Sequence, residues 1–190
     1  MLVVCHGMNR SGSTLQYNIV RRMVEELNVG VAHGGFDYTE GVSYDALAAV
    51  LHVTPLHIIK VHDYVAEIVE LVHRGRGKIT YIHRDIRDVA VSLRRRRLFA
   101  LPAIVRRFDV IIATYCSLRD TVDPEFMLTQ KYRDVATDIP SAARELAQFL
   151  GLAASEDLIA QVAEECSLEN ARAITRGLRQ KLDDKLRQLG

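Results

Sequence analysis

The chain has 190 residues, of which 48% are hydrophobic and 26% are charged, and its formal net charge is +1. This length and composition are typical of one globular domain with a single sizeable core, so we expect one domain over residues 1–190. The balanced charge excludes a general electrostatic attraction to nucleic acid, so any binding of anions must be local.

The first predicted elements are a strand, a glycine-containing loop and a helix. An apolar, partly β-branched run at residues 2–6 predicts a buried strand that ends at Gly7. The loop continues to Gly12, and Ser13 or Thr14 is the expected cap of the helix that follows. Apolar residues recur in that helix at every fourth position, at Leu15, Ile19, Met23 and Leu27. This order presents backbone N–H groups and a helix N-terminus to an anion.

Further strands and helices alternate along the rest of the chain. Strands are predicted at residues 29–32, 56–62, 78–83 and 126–128. Helices are predicted at residues 44–52, after Asp63, after the N-cap residue Asp85, at 101–119, from Pro140 to Gly151, and over most of the C-terminal part, with a leucine stripe from 178 to 189. This alternation predicts an α/β fold of three layers, in which a mostly parallel central sheet is flanked by helices and followed by a helical C-terminus.

Polar residues lie at the C-terminal ends of three of the predicted strands or directly after them. They are the loop at residues 7–14, the pair Lys60 and His62, and Arg84. The C-terminal ends of parallel strands meet at one edge of the sheet, and ligands bind there. We therefore expect these three groups to form one site.

The loop at residues 7–14 has the G-x-x-x-x-G spacing of a P-loop, which predicts a P-loop NTPase-like topology. A P-loop for ATP carries lysine directly after its second glycine, whereas Ser13 occupies that position here. The cation of this loop is Arg10, whose forked guanidinium suits oxyanions. By itself the loop is also consistent with a solvated turn.

Four motifs in the same order resemble those of sulfotransferases that use 3′-phosphoadenosine 5′-phosphosulfate (PAPS). They are N-R-S-G-S-T-L-Q at residues 9–16, K-V-H at 60–62, Y-I-H-R-D-I-R-D-V-A-V-S at 81–92, and K-Y-R-D-V at 131–135 followed by P-S-A-A-R-E-L-A-Q-F-L-G-L at 140–152. The family usually has lysine at the position of Arg10 and Asn-Pro at the positions of Asp85 and Ile86. The resemblance extends over about residues 3–152.

The resemblance implies that this chain transfers a sulfuryl group from PAPS, as co-substrate, to a hydroxyl or amine, without a metal. It implies that the loop binds the 5′-phosphosulfate, that Arg84 and Ser92 bind the 3′-phosphate, that Lys60 contacts the bridging or sulfuryl oxygens, and that His62 is the general base. The implied cofactor-binding residues are Arg10, Ser11, Gly12, Ser13, Thr14, Arg84, Ser92 and Tyr132, and the implied catalytic residues are Arg10, Lys60 and His62.

Several alternatives stay open at this point. Asp37 or Glu40 could replace His62 as the base. A P-loop kinase with Thr14 and Asp63 around Mg²⁺ is a second enzyme hypothesis, and a non-catalytic module that binds adenosine bisphosphate is a third. Residues 32–44 and 98–115 are expected to line the site of a small-molecule or carbohydrate acceptor, whose identity the composition does not give. The oligomeric state is equally open.

Basic and cysteine residues outside these motifs allow simpler interpretations. The four consecutive arginines Arg94, Arg95, Arg96 and Arg97 either complement a helix C-terminus or attract an anionic acceptor or the 3′-phosphate. Three widely spaced cysteines form no disulfide or zinc pattern and are expected to be small apolar residues.

No signal peptide and no apolar stretch of membrane-spanning length is apparent, which predicts a cytoplasmic protein without a membrane span.

Overall fold

The structure is a computed structural model that describes residues 1–35, 55–63, 65–95, 100–167 and 169–170. Over these ranges it has five strands, which are β1 (Leu2–Gly7), β2 (Gly30–Gly35), β3 (Leu56–Val61), β4 (Gly77–His83) and β5 (Met127–Lys131). The helices in these ranges are α1 (Ser13–Glu26), α2 (Ala66–His73), α3 (Ile86–Arg95), α4 (Leu101–Thr121), α5 (Tyr132–Thr137), α6 (Ile139–Leu150) and α7 (Glu156–Glu165).

All five strands run parallel, in the order β2-β3-β1-β4-β5. The central strand β1 is buried along its whole length because helices cover both faces of the sheet. Leu2 and Val4 contact the hydrophobic cluster on one face, while Val3 and Cys5 contact the cluster on the other. The predicted α/β class, the three layers and the P-loop-like topology are therefore confirmed.

Three hydrophobic clusters hold the layers together. The first lies between the sheet and helices α1, α6 and α7, and the second lies between the sheet and helices α2 and α4. A smaller third cluster is formed by Met8, Val89, Leu93, Ile104 and Ile111. It packs α3 and α4 against the loop that follows β1, which is how the loop obtains an apolar support.

A chain of polar side chains, of which Thr80, Gln16 and Gln130 are buried, also lies beside the first cluster. Thr80 Oγ1 donates to Gln16 Oε1 at 3.1 Å, and Gln16 Nε2 donates to Gln130 Oε1 at 2.9 Å. Gln130 Nε2 in turn donates to Glu145 Oε2 at 2.7 Å. These bonds connect α1, β4, β5 and α6, and they satisfy polar groups that would otherwise be costly to bury. Periodicity did not reveal this chain, because glutamine at position 16 resembles any polar helix residue.

Most predicted element boundaries agree with the structure to within a few residues, and one predicted cap is wrong. Helix α1 begins after Gly12, and neither Ser13 nor Thr14 caps it through its side chain. Asp85 does cap α3, since the backbone N–H of Arg87 donates to Asp85 Oδ1 at 2.9 Å. The predicted helix at residues 44–52 and the leucine stripe at 178–189 lie outside the described residues.

The cysteines are free thiols, as predicted. Burial raises the pKa of Cys5 to about 12 and that of Cys166 to about 11, so both behave as apolar side chains. Within the described part of the chain, no helix combines the length and the apolar character needed to cross a membrane.

Candidate active site

A cavity of about 310 Å³ lies where β1, β3 and β4 end. The loop after β1 forms one wall, the end of β3 forms a second, and Arg84 after β4 forms a third together with Tyr132 at the start of α5. Its described lining consists of Asn9, Arg10, Gly12, Ser13, Thr14, Lys60, His62, Arg84 and Tyr132. The structure thus brings together every predicted site residue except Ser11 and Ser92.

Gly12 shapes this cavity through its backbone. Its φ of 98° lies in the left-handed region that glycine adopts readily and other residues avoid. A Cβ atom at Gly12 would also overlap with the ring of Tyr132. Only glycine therefore allows the loop to turn into α1 and the aromatic ring to pack against that turn.

Arg10 occupies a strained position in the same loop, with a φ of 72°. Non-glycine residues with positive φ cost free energy and are concentrated at functional sites. The guanidinium Nε of Arg10 donates to the hydroxyl of Ser92 on α3 at 3.1 Å. The strained backbone and this bond together determine where the cation of the loop lies.

The N-terminus of α1 supplies backbone donors to the cavity, but Ser11 does not. The first N–H groups of a helix lack carbonyl partners within the helix, and none of the described side chains caps α1. The N–H group and the hydroxyl of Ser11 both donate to the carbonyl of Met8, at 3.1 and 2.7 Å. Ser11, whose side chain is fully buried, closes the loop rather than lining the cavity.

Lys60 contacts the loop from the neighbouring strand. Its Nζ donates to Thr14 Oγ1 at 3.3 Å. The parallel register places Lys60 beside Cys5 of β1, one strand away from the loop that contains Thr14. The strand therefore holds an ammonium group directly against the N-terminus of α1.

His62 follows β3 by one residue and is half-buried. Its Nδ1 lies 2.7 Å from the carbonyl oxygen of Gly7. A carbonyl oxygen only accepts, so Nδ1 carries the proton and Nε2 of the neutral ring is the acceptor nitrogen. This tautomer is the one in which Nε2 can take up a proton.

A second histidine, His6, lies buried near the end of β1 and was not predicted to matter. Its Nε2 donates to the carbonyl of Asp63 at 3.1 Å, and its ring stacks on Tyr81 with centroids 5.3 Å apart. Burial lowers the pKa of His6 to about 4, so its ring is neutral at pH 7. His6 thereby holds the backbone directly after His62 in place.

No hydrogen bond among the described residues joins Arg84 to Ser92, the two residues predicted to bind the 3′-phosphate. The guanidinium of Arg84 lies over the ring of Tyr132, with 4.5 Å between its central carbon and the ring centroid. Its buried Nε lies 3.5 Å from Asp88 Oδ2, an ion-pair distance without hydrogen-bond geometry. The hydroxyl of Ser92 contacts Arg10 instead of Arg84, which indicates that Ser92 orients the cation of the loop.

The remaining candidates lie elsewhere. Asp63 lines a different cavity from Thr14, so the described structure does not place these two residues around one ion. His33 Nε2 lies 2.9 Å from His57 Nδ1, within the sheet.

Arg94 and Arg95 form the last turn of α3. Asp37, Glu40, Arg96 and Arg97 lie outside the described residues. Over the described ranges, no group of three His, Cys, Asp or Glu side chains could hold a metal ion.

A larger cavity of about 480 Å³ lies beside β5, α5 and α6. Its described lining mixes the cations Lys131 and Arg133 with the carboxylates of Asp134, Asp138 and Glu145. Carboxylates disfavour a phosphate ligand, and no predicted site residue lies there. The smaller cavity at the three strand ends is therefore the better candidate for an anion.

Comparison with solved structures shows the fold of this chain. Retinol dehydratase, solved with androsterone and the inactive cofactor PAP, aligns over 88% of this chain and 64% of its own, with a TM-score of 0.64 and 20% identity. Mouse sulfotransferase SULT7A1 complexed with PAP aligns over 87% and 64%, with a TM-score of 0.66 and 15% identity. A sulfotransferase from Alicyclobacillus acidocaldarius aligns over 82% and 81%, with a TM-score of 0.56 and 13% identity.

No protein-family model matches the chain, and no curated protein matches it significantly in sequence. The likeness is therefore one of fold, at identities of 20% or less. The chain spans 64% of the length of each of the first two structures.

Proposed function

We propose that this protein transfers the sulfuryl group of PAPS to a hydroxyl or amine of a small-molecule or carbohydrate acceptor, and that residues 1–190 act as one domain. The observation that carries the proposal is the cavity in which the loop of Arg10, the pair Lys60 and His62, and Arg84 meet. The likeness of the fold to sulfotransferases solved with PAP supports it.

The charge of the cavity fits adenosine 3′,5′-bisphosphate (PAP) and its sulfated form. Arg10, Lys60 and Arg84 bring three positive charges, and none of the described lining residues carries a carboxylate. Guanidinium groups bind phosphate through two parallel hydrogen bonds, and a helix N-terminus adds backbone donors. The ring of Tyr132, on which the guanidinium of Arg84 stacks, adds an aromatic group to the lining of the cavity.

PAPS supplies an activated sulfur–oxygen bond to its 5′-phosphate. We expect Arg10, Lys60 and the N–H groups at the start of α1 to stabilise the negative charge that develops on the bridging oxygen as this bond breaks. The loose transition state of phosphoryl transfer is the template for this step, in which alignment and charge stabilisation supply most of the catalysis.

His62 is the proposed general base. Nδ1 donates to Gly7, so Nε2 takes the proton of the acceptor while the bond between sulfur and the acceptor oxygen or nitrogen forms. The products are the sulfated acceptor and PAP, with the proton on His62 until solvent removes it. Because Gly7 also begins the phosphate loop, base and loop are held by one backbone segment.

A P-loop kinase fits the cavity less well. Lys60 donates to the hydroxyl of Thr14, which is the group that would bind Mg²⁺ in a kinase. Asp63, the other expected metal ligand, lines the neighbouring cavity. A non-catalytic module that binds PAP is distinguished from the enzyme only by measurement of transfer.

The test combines binding and transfer. The melting temperature is measured with PAP and with ATP–Mg²⁺, because a ligand that binds only the folded state raises it. Radiolabelled PAPS is then incubated with a panel of phenols, alcohols, amines and saccharides. We expect stabilisation by PAP but not by ATP–Mg²⁺, and label on at least one acceptor. Stabilisation by ATP–Mg²⁺ alone would contradict the proposal, and PAP binding with no labelled acceptor would support the binding module.

A further inference from the structure

A second cavity adjoins the first at the proposed base. It has a volume of about 280 Å³ and shares Asn9 and His62 with the cavity described above. Both residues line both spaces, so the two cavities meet at His62 and at the loop residue Asn9. A molecule in the second cavity therefore lies beside the proposed base and next to the phosphate cavity, which is where transfer requires an acceptor.

We infer that the second cavity binds the acceptor and that the acceptor carries a carboxylate or another compact anion, held by Arg106 and Arg107 on α4. The inference rests on the proposed sulfuryl transfer, because only that reaction makes a molecule beside His62 an acceptor. It narrows the expected class of acceptors from hydroxyl or amine compounds in general to hydroxyl or amine compounds that carry an anionic group.

One face of α4 forms the outer side of this cavity. Arg106 and Arg107 lie one turn before Val110 and Ile111, and Thr114 lies one turn after them. Residues at these spacings share one face of a helix. That face therefore presents a cationic turn, an apolar turn and a hydroxyl over about 12 Å.

The apolar turn of this face, Val110 and Ile111, is partly exposed, as expected of a surface that binds a ligand. Ile111 is buried in the third hydrophobic cluster, whereas Val110 is 61% exposed. Exposed apolar side chains beside a cavity favour the hydrocarbon part of a ligand. The volume of about 280 Å³ lies just below the usual range for small-molecule pockets, so the cavity suits a compact acceptor.

The charges of the cavity favour an anion. Among the described lining residues, two carry a guanidinium group and one, Asp63, carries a carboxylate. Arg106 is exposed and makes no ion pair within the described ranges, although Asp109 lies three residues further along the same helix. Arg119, by contrast, pairs with the adjacent Asp120 at 2.8 Å. The positive charge of Arg106 is therefore available to a ligand.

The experiment compares two probes that differ in charge and by one methyl group, 4-hydroxyphenylacetate and its methyl ester. Their dissociation constants are measured by NMR titration of the protein saturated with PAP, so that the phosphate cavity is occupied. We expect the carboxylate to bind at least roughly 10-fold more tightly than the ester, as charge-assisted bonds to arginine imply. Arg106→Gln and Arg107→Gln should each reduce this preference to roughly 3-fold or less, while the matched control Arg119→Gln should leave it unchanged.

The outcomes separate this inference from the proposed function. Three outcomes overturn the inference: equal binding of the two probes, no binding of either, or a carboxylate preference that survives both Arg106→Gln and Arg107→Gln. If PAP still binds in these cases, the proposed function stands. Failure of PAP to bind overturns the proposed function. The inference about the anion site would still be supported if the protein without bound PAP prefers the carboxylate probe and Arg106→Gln loses that preference. PAP affinity of each variant reports that it is folded.

Discussion

His62 and Gly7 are connected across two neighbouring strands, since Nδ1 of the histidine lies 2.7 Å from the carbonyl oxygen of the glycine. The bond selects the tautomer of the proposed base and ties it to the first residue of the phosphate loop. A displacement of the loop would therefore displace the base as well. A Cβ atom at Gly7 would lie 2.6 Å from the carbonyl oxygen of Ile82, so the close approach of this residue to β4 leaves no room for a side chain.

Replacement of the base is the first test of this arrangement. We expect His62→Gln to lower kcat roughly 10²-fold or more, the usual contribution of a general base, because the amide cannot accept the proton. The dissociation constant of PAP should stay within about 2-fold, since three cations remain. Steady-state kinetics and calorimetry measure the two quantities. His73→Gln on α2 is the matched control, and undiminished turnover in His62→Gln would contradict the role and favour Asp37 or Glu40.

Arg84 is expected to bind the 3′-phosphate. Arg84→Ala should weaken PAP binding at least roughly 10-fold and AMP binding roughly 3-fold or less, because AMP lacks the 3′-phosphate that the fork would hold. Calorimetry with both nucleotides gives the ratio. Arg87→Ala removes a nearby arginine that is paired with Asp85 and should change neither constant. Equal losses for the two nucleotides would mean that Arg84 supports the site through its stack on Tyr132 alone.

The bond between Arg10 and Ser92 predicts that these residues act as one unit. Arg10→Ala should lower kcat/KM roughly 10²-fold or more, as the loss of a charge-stabilising donor does. Ser92→Ala should lower kcat/KM roughly 5-fold in the natural protein. In the Arg10→Lys variant, which keeps the charge and lacks the Nε donor, Ser92→Ala should lower kcat/KM less than about 2-fold.

A double-mutant cycle of the kcat/KM values measures this coupling, and Ser117→Ala on α4 serves as the control. The affinity ratio of PAP to AMP should stay unchanged in Ser92→Ala. A fall in that ratio would return Ser92 to the 3′-phosphate site that the sequence motif implies.

The lowered pKa of His6 predicts a pH-dependent stability. Protonation is disfavoured in the folded state, where the pKa is about 4, and not in the unfolded state, where it is 6.5. The stabilisation is therefore complete above pH 6.5 and decreases as the pH falls towards 4, by about 2 kcal/mol between pH 7 and pH 5. The free energy of unfolding from urea titrations should lose this part of its pH dependence in His6→Phe, which keeps a ring against Tyr81.

The exposed His73 provides the comparison for this measurement. His73→Gln on α2 is the control for the loss of a histidine, and it is expected to leave the difference in stability between pH 7 and pH 5 in place. A His6→Phe variant with an unchanged pH dependence would show that His6 is protonated as easily in the folded state as in the unfolded state.

The agreement between sequence and structure differs from one residue to the next. Lys60, His62 and Arg84 were found because each lies at or directly after the end of a strongly apolar strand, and parallel topology gathers such positions at one edge. The cap of α1 was predicted wrongly because serine and threonine are good caps, whereas the left-handed Gly12 and the ring of Tyr132 determine that turn. Residues 98–115 were expected near the acceptor, but the register of α4 decides that Arg106, Arg107, Val110, Ile111 and Thr114 face the cavity.

By itself, the sequence determined the α/β class, the order of the elements and a P-loop-like loop whose cation is Arg10, with Ser13 at the position of the P-loop lysine, because these depend on periodicity and spacing along the chain. Only the tertiary structure decided that Ser92 contacts Arg10, that Ser11 closes the loop, that His6 supports the backbone after His62, and that His62 lines two cavities. Each of these contacts joins residues through side-chain direction and packing between different elements. Those quantities are set by the whole fold and leave no local pattern in the sequence.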